Sequence, residues 1–338
     1  MSAFDAAAFL PERVLALITE ARVQDPERAL RAAEKRKRRA GLTLDGRLNV
    51  LAADHPGRRV LRVGDDPLAM ADRQAYLSRT VRALLAKDVD GVMATMDVLE
   101  DLLVLDDLQR EAGGPPLLDG KLLIASLNRG GLAGAAWELD DPMTGPTPAH
   151  CAERGLDGAK LLLRICDGEP GSLRTLEMAA EAIRELSAMR LPAFLEVLPV
   201  VKTATGYEAV RDAGRLAALA GVASALGDSS RYLWLKLPYC DGFERAAAAT
   251  TLPVLLLGGE ASGDPAGLLS QMATGLASRS NVRGTMIGRN VLYPGGRDPL
   301  AVARAVGGLV HRGWSVEQAT AALSDKIGGE EDAITGWL

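Results

Sequence analysis

Eight lysines stand against 31 arginines in this 338-residue chain, so a lysine inside an apolar run is a specific choice of amine. Two such lysines occur, Lys160 in GAKLLLRI and Lys236 in YLWLKLPY. Side chains alternate along a strand, which sets Leu233, Leu235 and Leu237 on one face and Tyr232, Trp234 and Lys236 on the other. The same parity turns Ala159, Leu161 and Leu163 outward and Lys160, Leu162 and Arg164 inward. In PAFLEVLP it places Glu196 with Phe194 and Leu198. An ammonium facing an enclosed interior is desolvated and its pKa falls, and a second ammonium beside it acts in the same direction. The result is a neutral amine that can bond to a carbonyl as an imine. Lys236 is the expected nucleophile, the alternative being a structural cation paired with Glu196. Glu196 is expected either to move protons or to serve only as an ion-pair partner, and Lys160 either to assist or to hold a carboxylate lower in the interior. Asp54, which closes LNVLAAD, is a candidate general base or a turn cap.

A second group of residues suits an anion. LLLGGEASGDPAG and MIGRN are glycine-rich turns that lead into helices. Backbone N–H groups freed by Gly258, Gly259 and Gly288, joined by Arg289, are expected to bind a phosphate. His55, Arg129 and Arg164 are further candidate substrate-binding residues.

These positions acquire meaning from the elements that carry them. Eight short apolar runs recur from residue 48: LNVLAAD, GVMAT, KLLIAS, GAKLLLRI, PAFLEVLP, YLWLKLPY, PVLLLGG and GTMIGRN. They start about every 34 residues, the size of one strand-helix unit. Helical periodicity fills the gaps, over 72–87, 173–190, 207–226, 265–277 and 299–311. Continuously apolar strands separated by helices indicate a parallel sheet covered on its outer face. An open doubly wound sheet would ordinarily carry G-x-G-x-x-G after its first strand, and this chain does not, so closure into a (β/α)8 barrel is expected. Residues 1–45 form an N-terminal helical extension, 46–312 the barrel, and 313–338 a C-terminal helix and tail. In that fold the active site lies at the carboxyl ends of the strands, where every candidate above except Lys160 stands late in, or just after, its run. The basic run from Glu34 to Arg39 reads as a solvated helix end favoured by the helix dipole, the alternative being a phosphate or nucleic-acid contact.

Composition narrows the partners. The net charge of −5 gives no general attraction for nucleic acid or an anionic membrane. Asp5 and Pro11 interrupt what a secretion signal would need, and no run of 18 apolar residues is present. Cys151, Cys166 and Cys240 are widely spaced and odd in number, which suits a reducing, cytoplasmic compartment. Only His55, His150 and His311 are available, so a histidine-rich metal site is not expected.

At this point the motifs AADHPGR, DGAKLLLRI, FLEVLP, LWLKLPY, LLLGGE and IGRN resemble the class I (Schiff-base) aldolases of the deoxyribose-phosphate and tagatose-bisphosphate aldolase superfamily, over roughly residues 45–312. The resemblance implies a cofactor-independent carbon-carbon lyase in which Lys236 forms the imine. It likens Lys160 and Glu196 to the strand-four lysine and strand-five glutamate of the tagatose-bisphosphate branch. SLNRGG after the third run departs from that pattern, and Pro199 stands where some relatives have a tyrosine. The chain is also similar to barrel proteins encoded among actinobacterial inositol-catabolism enzymes, which implies 5-dehydro-2-deoxygluconate 6-phosphate as a substrate. A phosphorylated small molecule and a homo-oligomeric assembly are the expected partners. Two rival readings are a metal-dependent barrel lyase using Asp54, His55 and Glu196, and a non-catalytic sugar-phosphate sensor.

Overall fold

Eight parallel strands close into one ring, because each strand is apolar on both faces and only a sheet wrapped by helices buries both. The computed structural model describes residues 4–259, 263–324 and 333–338. The strands are β1 (Leu48–Ala53), β2 (Gly91–Ala94), β3 (Leu122–Ser126), β4 (Gly158–Ile165), β5 (Ala193–Thr203), β6 (Gly206–Ala209), β7 (Leu233–Pro238), β8 (Val254–Leu257) and β9 (Val282–Ile287). All but β6 belong to the ring, which runs β1-β2-β3-β4-β5-β7-β8-β9 and returns from β9 to β1. This is the (β/α)8 barrel that the repeat predicts.

Alternation divides the core as expected. Ala159, Leu161, Leu163, Leu195, Val197, Leu235 and Leu237 face the helices within the main cluster. Leu48, Val50, Met93, Ile124, Phe194, Leu255 and Met286 fill the barrel interior, with Trp234 against them. Phe194 and Trp234 lie 6.1 Å apart, centroid to centroid. This apolar plug floors the cavity above it.

Three sequence expectations need correction. The helix expected from Tyr207 begins at Ala213, capped by the Asp212 side chain. The residues before it form β6, which pairs antiparallel with the end of an unusually long β5. The Ala, Val and Glu content of GYEAV reads as helical, but Gly206 at φ +146° turns the chain back as a hairpin. The N-terminal helix is broken at Pro11 and after Asp25 into three, Ala6–Phe9, Glu12–Gln24 and Arg28–Lys35. Phe9, Leu10, Val14 and Ile18 join the barrel's main cluster.

The basic run is the third correction, since only Glu34 and Lys35 form an exposed helix end and the arginines that follow are paired. Helix Arg28–Lys35 stops within it, and the side chain of Arg36 is buried against Asp157 at 2.9 Å. Arg38 reaches the other oxygen of Asp157 at 3.0 Å, and Arg39 meets Asp90 at 2.7 Å. These pairs pin the chain across the amino-terminal face of the barrel, away from the strand ends where chemistry is expected. Of the expected C-terminal tail, the helix Val316–Ala322 is present and residues 325–332 lie outside the described residues. Among the described residues no helix is long and apolar enough to cross a membrane.

Candidate active site

A cavity of about 540 Å³ opens at the carboxyl ends of the strands. Its centre is a carboxylate shared by two amines. Glu196 on β5 stands between β4 and β7, and pairs in register with Lys236. Glu196 Oε2 lies 2.9 Å from Lys236 Nζ and 2.7 Å from Lys160 Nζ. Lys160 Nζ also lies 3.2 Å from Asp54 Oδ2. Lys160 therefore does hold carboxylates, but those of the cavity and not of the barrel's lower layers.

The electrostatics follow from burial opposed by these partners. Burial pushes the Lys236 ammonium below the ordinary lysine range, Lys160 adds to the fall, and Glu196 works against it. Burial alone would raise Glu196, yet Lys160 and Lys236 hold its carboxyl far below the usual range. Asp54 is likewise held well down, by Arg129 first and Lys160 next, against its own desolvation. Both carboxylates are charged at neutral pH.

Asp54 follows the end of β1 and caps no turn. Its Oδ2 accepts from Ser126 Oγ at 2.9 Å and meets Arg129 NH1 at 2.9 Å, while Arg129 NH2 donates to the Asp54 carbonyl. Arg164 on β4 meets Glu138 Oε1 at 2.6 Å and donates to the Glu138 carbonyl. The unmatched SLNRGG segment explains both arrangements. Asn128 clamps β4, donating to the Leu162 carbonyl at 2.6 Å and accepting from its N–H at 2.7 Å. Gly131 has no room for a side chain, because a Cβ would overlap the Glu138 carbonyl oxygen.

The glycine turns stand across the ring. Gly258 and Gly259 follow β8 and line the cavity with Gly288 and Arg289, which follow β9. Asn290 Nδ2 donates to the Gly258 carbonyl at 2.7 Å and ties the two turns together. Gly259 adopts φ +68°, a left-handed conformation that favours glycine. Gly288 is packed so closely that a Cβ would overlap both the Ala52 carbonyl oxygen and the His55 ring. Residues 260–262 of this loop lie outside the described residues. Burial pushes His55 down to about 3, with Arg289 and Arg129 adding to the fall and Asp54 opposing it. Its imidazole is neutral at physiological pH.

A family model described as Cgl0159-like matches residues 46–307. The chain belongs to the Cgl0159-like family. The crystal structure of Cgl0159 from Corynebacterium glutamicum is similar with a TM-score of 0.84 and 35% identity, over 90% of this chain and 99% of that one. A Schiff-base-forming fructose-1,6-bisphosphate aldolase is similar at TM-score 0.55 and 21% identity, over 79% of this chain and 95% of that one. An archaeal fructose-1,6-bisphosphate aldolase, solved with its catalytic lysine covalently bound to the carbinolamine intermediate, gives 0.55 and 19%, over 79% and 94%. The likeness to the two aldolases is one of fold. No match is found among curated proteins.

In this Cgl0159-like chain the barrel brings Lys236, Glu196, Lys160 and Asp54 into one hydrogen-bonded group. His55, Arg129, Arg164, Gly258, Gly259, Gly288 and Arg289 lie around the same cavity. Sequence reasoning missed Ser126, Arg58, Glu138 and Arg211. Ser126 and Arg58 stood within quoted motifs, at a strand end and in AADHPGR. Glu138 and Arg211 lie on connecting segments, where strand-end position gives no signal. Among the described residues the cavity is lined by seven lysines and arginines against four carboxylates, a balance that favours an anionic ligand. No three histidine, cysteine, aspartate or glutamate side chains among the described residues gather closely enough to hold a metal ion.

Proposed function

We propose that this chain is a class I aldolase that forms and cleaves a carbon-carbon bond in a phosphorylated ketose or keto acid through a Schiff base on Lys236. One observation carries the reading: a buried lysine, lowered below its ordinary pKa, shares a single carboxylate oxygen with a second lysine. The neutral amine attacks the substrate ketone and its proton passes to Glu196. The carbinolamine hydroxyl leaves as water with a proton supplied by Lys160 through the same oxygen. A base, Glu196 or Asp54, takes the proton of the hydroxyl two carbons from the imine carbon. The bond between that hydroxyl-bearing carbon and its neighbour then breaks, and its electron pair moves into the iminium to give an enamine. Protonation and hydrolysis release the ketone product and return Lys236.

Gly258, Gly259 and Gly288 with Arg289 hold the substrate phosphate and keep its carbonyl carbon near the amine. The resemblance of the motifs nominates 5-dehydro-2-deoxygluconate 6-phosphate, cleaved to dihydroxyacetone phosphate and malonate semialdehyde. The likeness of fold to a Schiff-base-forming aldolase supports the same chemistry. Incubation with a panel of phosphorylated ketoses and keto acids, reduction with borohydride and peptide mapping tests it. An adduct on Lys236 is the expected result, and its absence with every compound that the protein binds removes the mechanism.

A further inference from the structure

The cavity holds an arginine for which the reading above has no use. Arg129 is paired with Asp54 and Arg164 with Glu138. Arg58 lines the cavity beside them and has no carboxylate within ion-pair distance among the described residues. Its side chain makes one long hydrogen bond, NH1 to the Gly131 carbonyl at 3.4 Å, and its buried Nε donates to nothing. Asp141 and Glu138 act on it only from beyond ion-pair distance, so this guanidinium with its buried Nε is under-compensated, and an anion relieves that cost.

The position of this group is built. Arg58 ends the turn Pro56–Arg58 after β1, and its carbonyl accepts from Ala133 N–H at 3.0 Å, which ties it to the loop after β3. The glycine turn after β8 lies on the other side. β3 and β8 are four places apart in a ring of eight, so the Gly131 loop that the Arg58 guanidinium reaches stands across the ring from the Gly258–Gly259 turn, while Gly288 packs against β1 itself. Arg211 stands at the β8 wall, its NH2 2.6 Å from where a Cβ on Gly259 would be.

We infer that Arg58 forms a second anion subsite, across the ring from the Gly258–Gly259 turn, which takes a carboxylate or phosphate at the far end of the substrate. The substrate of the Lys236 site then carries a negative charge at each end. Burial, with Arg164 and Arg129 adding their repulsion and Asp141 and Glu138 opposing it, pushes Arg58 down to about 10. This inference rests on the aldolase reading for what lies between the two ends, and on the arginine alone for the subsite.

Calorimetry with three compounds tests it: a ketose bisphosphate, the same ketose with one phosphate beside the ketone, and a keto acid phosphate with its carboxylate at the far end. Wild-type protein is expected to bind at least one doubly anionic compound about tenfold to a hundredfold more tightly than the monophosphate, the span of a charge-assisted hydrogen bond. The compound preferred identifies the far group as carboxylate or phosphate. Arg58→Ala is expected to erase the preference and leave monophosphate binding unchanged, and Arg58→Lys to retain part of it. Wild-type protein that binds none of the three, or all three equally, overturns the subsite. So does an Arg58→Ala protein that weakens all three alike. Should Arg58→Ala fail to fold, the wild-type ranking and Arg58→Lys decide. Binding is read without turnover, so a missing borohydride adduct on Lys236 would remove the aldolase reading and leave an Arg58-dependent preference standing.

Discussion

Lys160 and Lys236 converge on one atom, Glu196 Oε2, at 2.7 and 2.9 Å. They come from the two strands that flank β5 in the ring, so the barrel's own register creates the cluster. Glu196 and Asp54 together serve three buried cations, Lys160, Lys236 and Arg129, which leaves one cation in surplus. Burial lowers Lys236, Glu196 opposes the fall and Lys160 adds to it.

Glu196→Gln removes the charge that holds Lys236 up. The Lys236 pKa then falls further, so the midpoint for acylation of that amine, followed by mass spectrometry against pH, moves to lower pH than in wild type. Turnover falls by about 10²–10⁴ if the carboxylate moves protons. An unmoved midpoint would mean that Glu196 does not set the state of the amine.

The two lysines separate by role. Lys236→Arg keeps a cation beside Glu196 but cannot form an imine, so turnover drops to background and no borohydride adduct appears. Lys160→Met leaves the nucleophile in place. It is expected to slow turnover by about 10²–10⁴ while still yielding a trapped adduct on Lys236. Adduct on another residue in Lys236→Arg would contradict the assignment.

Much of this was legible in the sequence, because strand parity is a local property. Leu161, Lys160, Leu235 and Lys236 face where a period of two puts them. What stayed hidden depends on contacts distant in sequence. Arg36 and Arg39 look solvated until Asp157 and Asp90 are seen beside them. Glu138 sits in a connecting loop with no periodicity, and only the folded loop brings it to Arg164. The β5–β6 hairpin was masked by residues that serve helix and strand alike, so tertiary context decided.

Gly288 bears on both stability and the site. Any side chain there overlaps the Ala52 carbonyl and the His55 ring, so Gly288→Ala forces β1 or the β9 turn to shift. A loss of about 1–3 kcal/mol is expected from such overpacking, with weaker phosphate-ligand binding. Gly296→Ala is the control, since nothing lies within 4 Å of its added methyl. Denaturant melts of the two variants check this; equal stability would show that the close approach at Gly288 is relaxed at little cost.

Gly221 lies exposed within the helix Ala213–Ser224, and no atom outside its own turn lies within 4 Å of an added Cβ. Gly221→Ala therefore removes backbone freedom from the unfolded chain and adds no clash, for an expected gain of about 0.5–1 kcal/mol. The gain should appear in urea melts with the m-value unchanged.

On the opposite face from the cavity, His311 bridges two carboxylates, Nδ1 at 2.8 Å from Asp45 and Nε2 at 3.0 Å from Asp90. Burial lowers its pKa, but hydrogen bonds to Asp90 and Asp45 outweigh that and raise it above the ordinary histidine value of 6.5. A group whose folded pKa exceeds its unfolded pKa stabilises the fold while protonated. The contribution is full below the unfolded value and is lost as pH rises through the folded one. His311→Gln should therefore lower the melting temperature most near pH 6 or just below, and the gap to wild type should narrow as pH rises past the folded pKa. The bridge joins the segment before β1 to the start of β2 and lies far from Lys236, so the trapped-adduct yield at neutral pH should be unchanged. A gap that stays constant across this range would show that His311 contributes through packing and not through its charge.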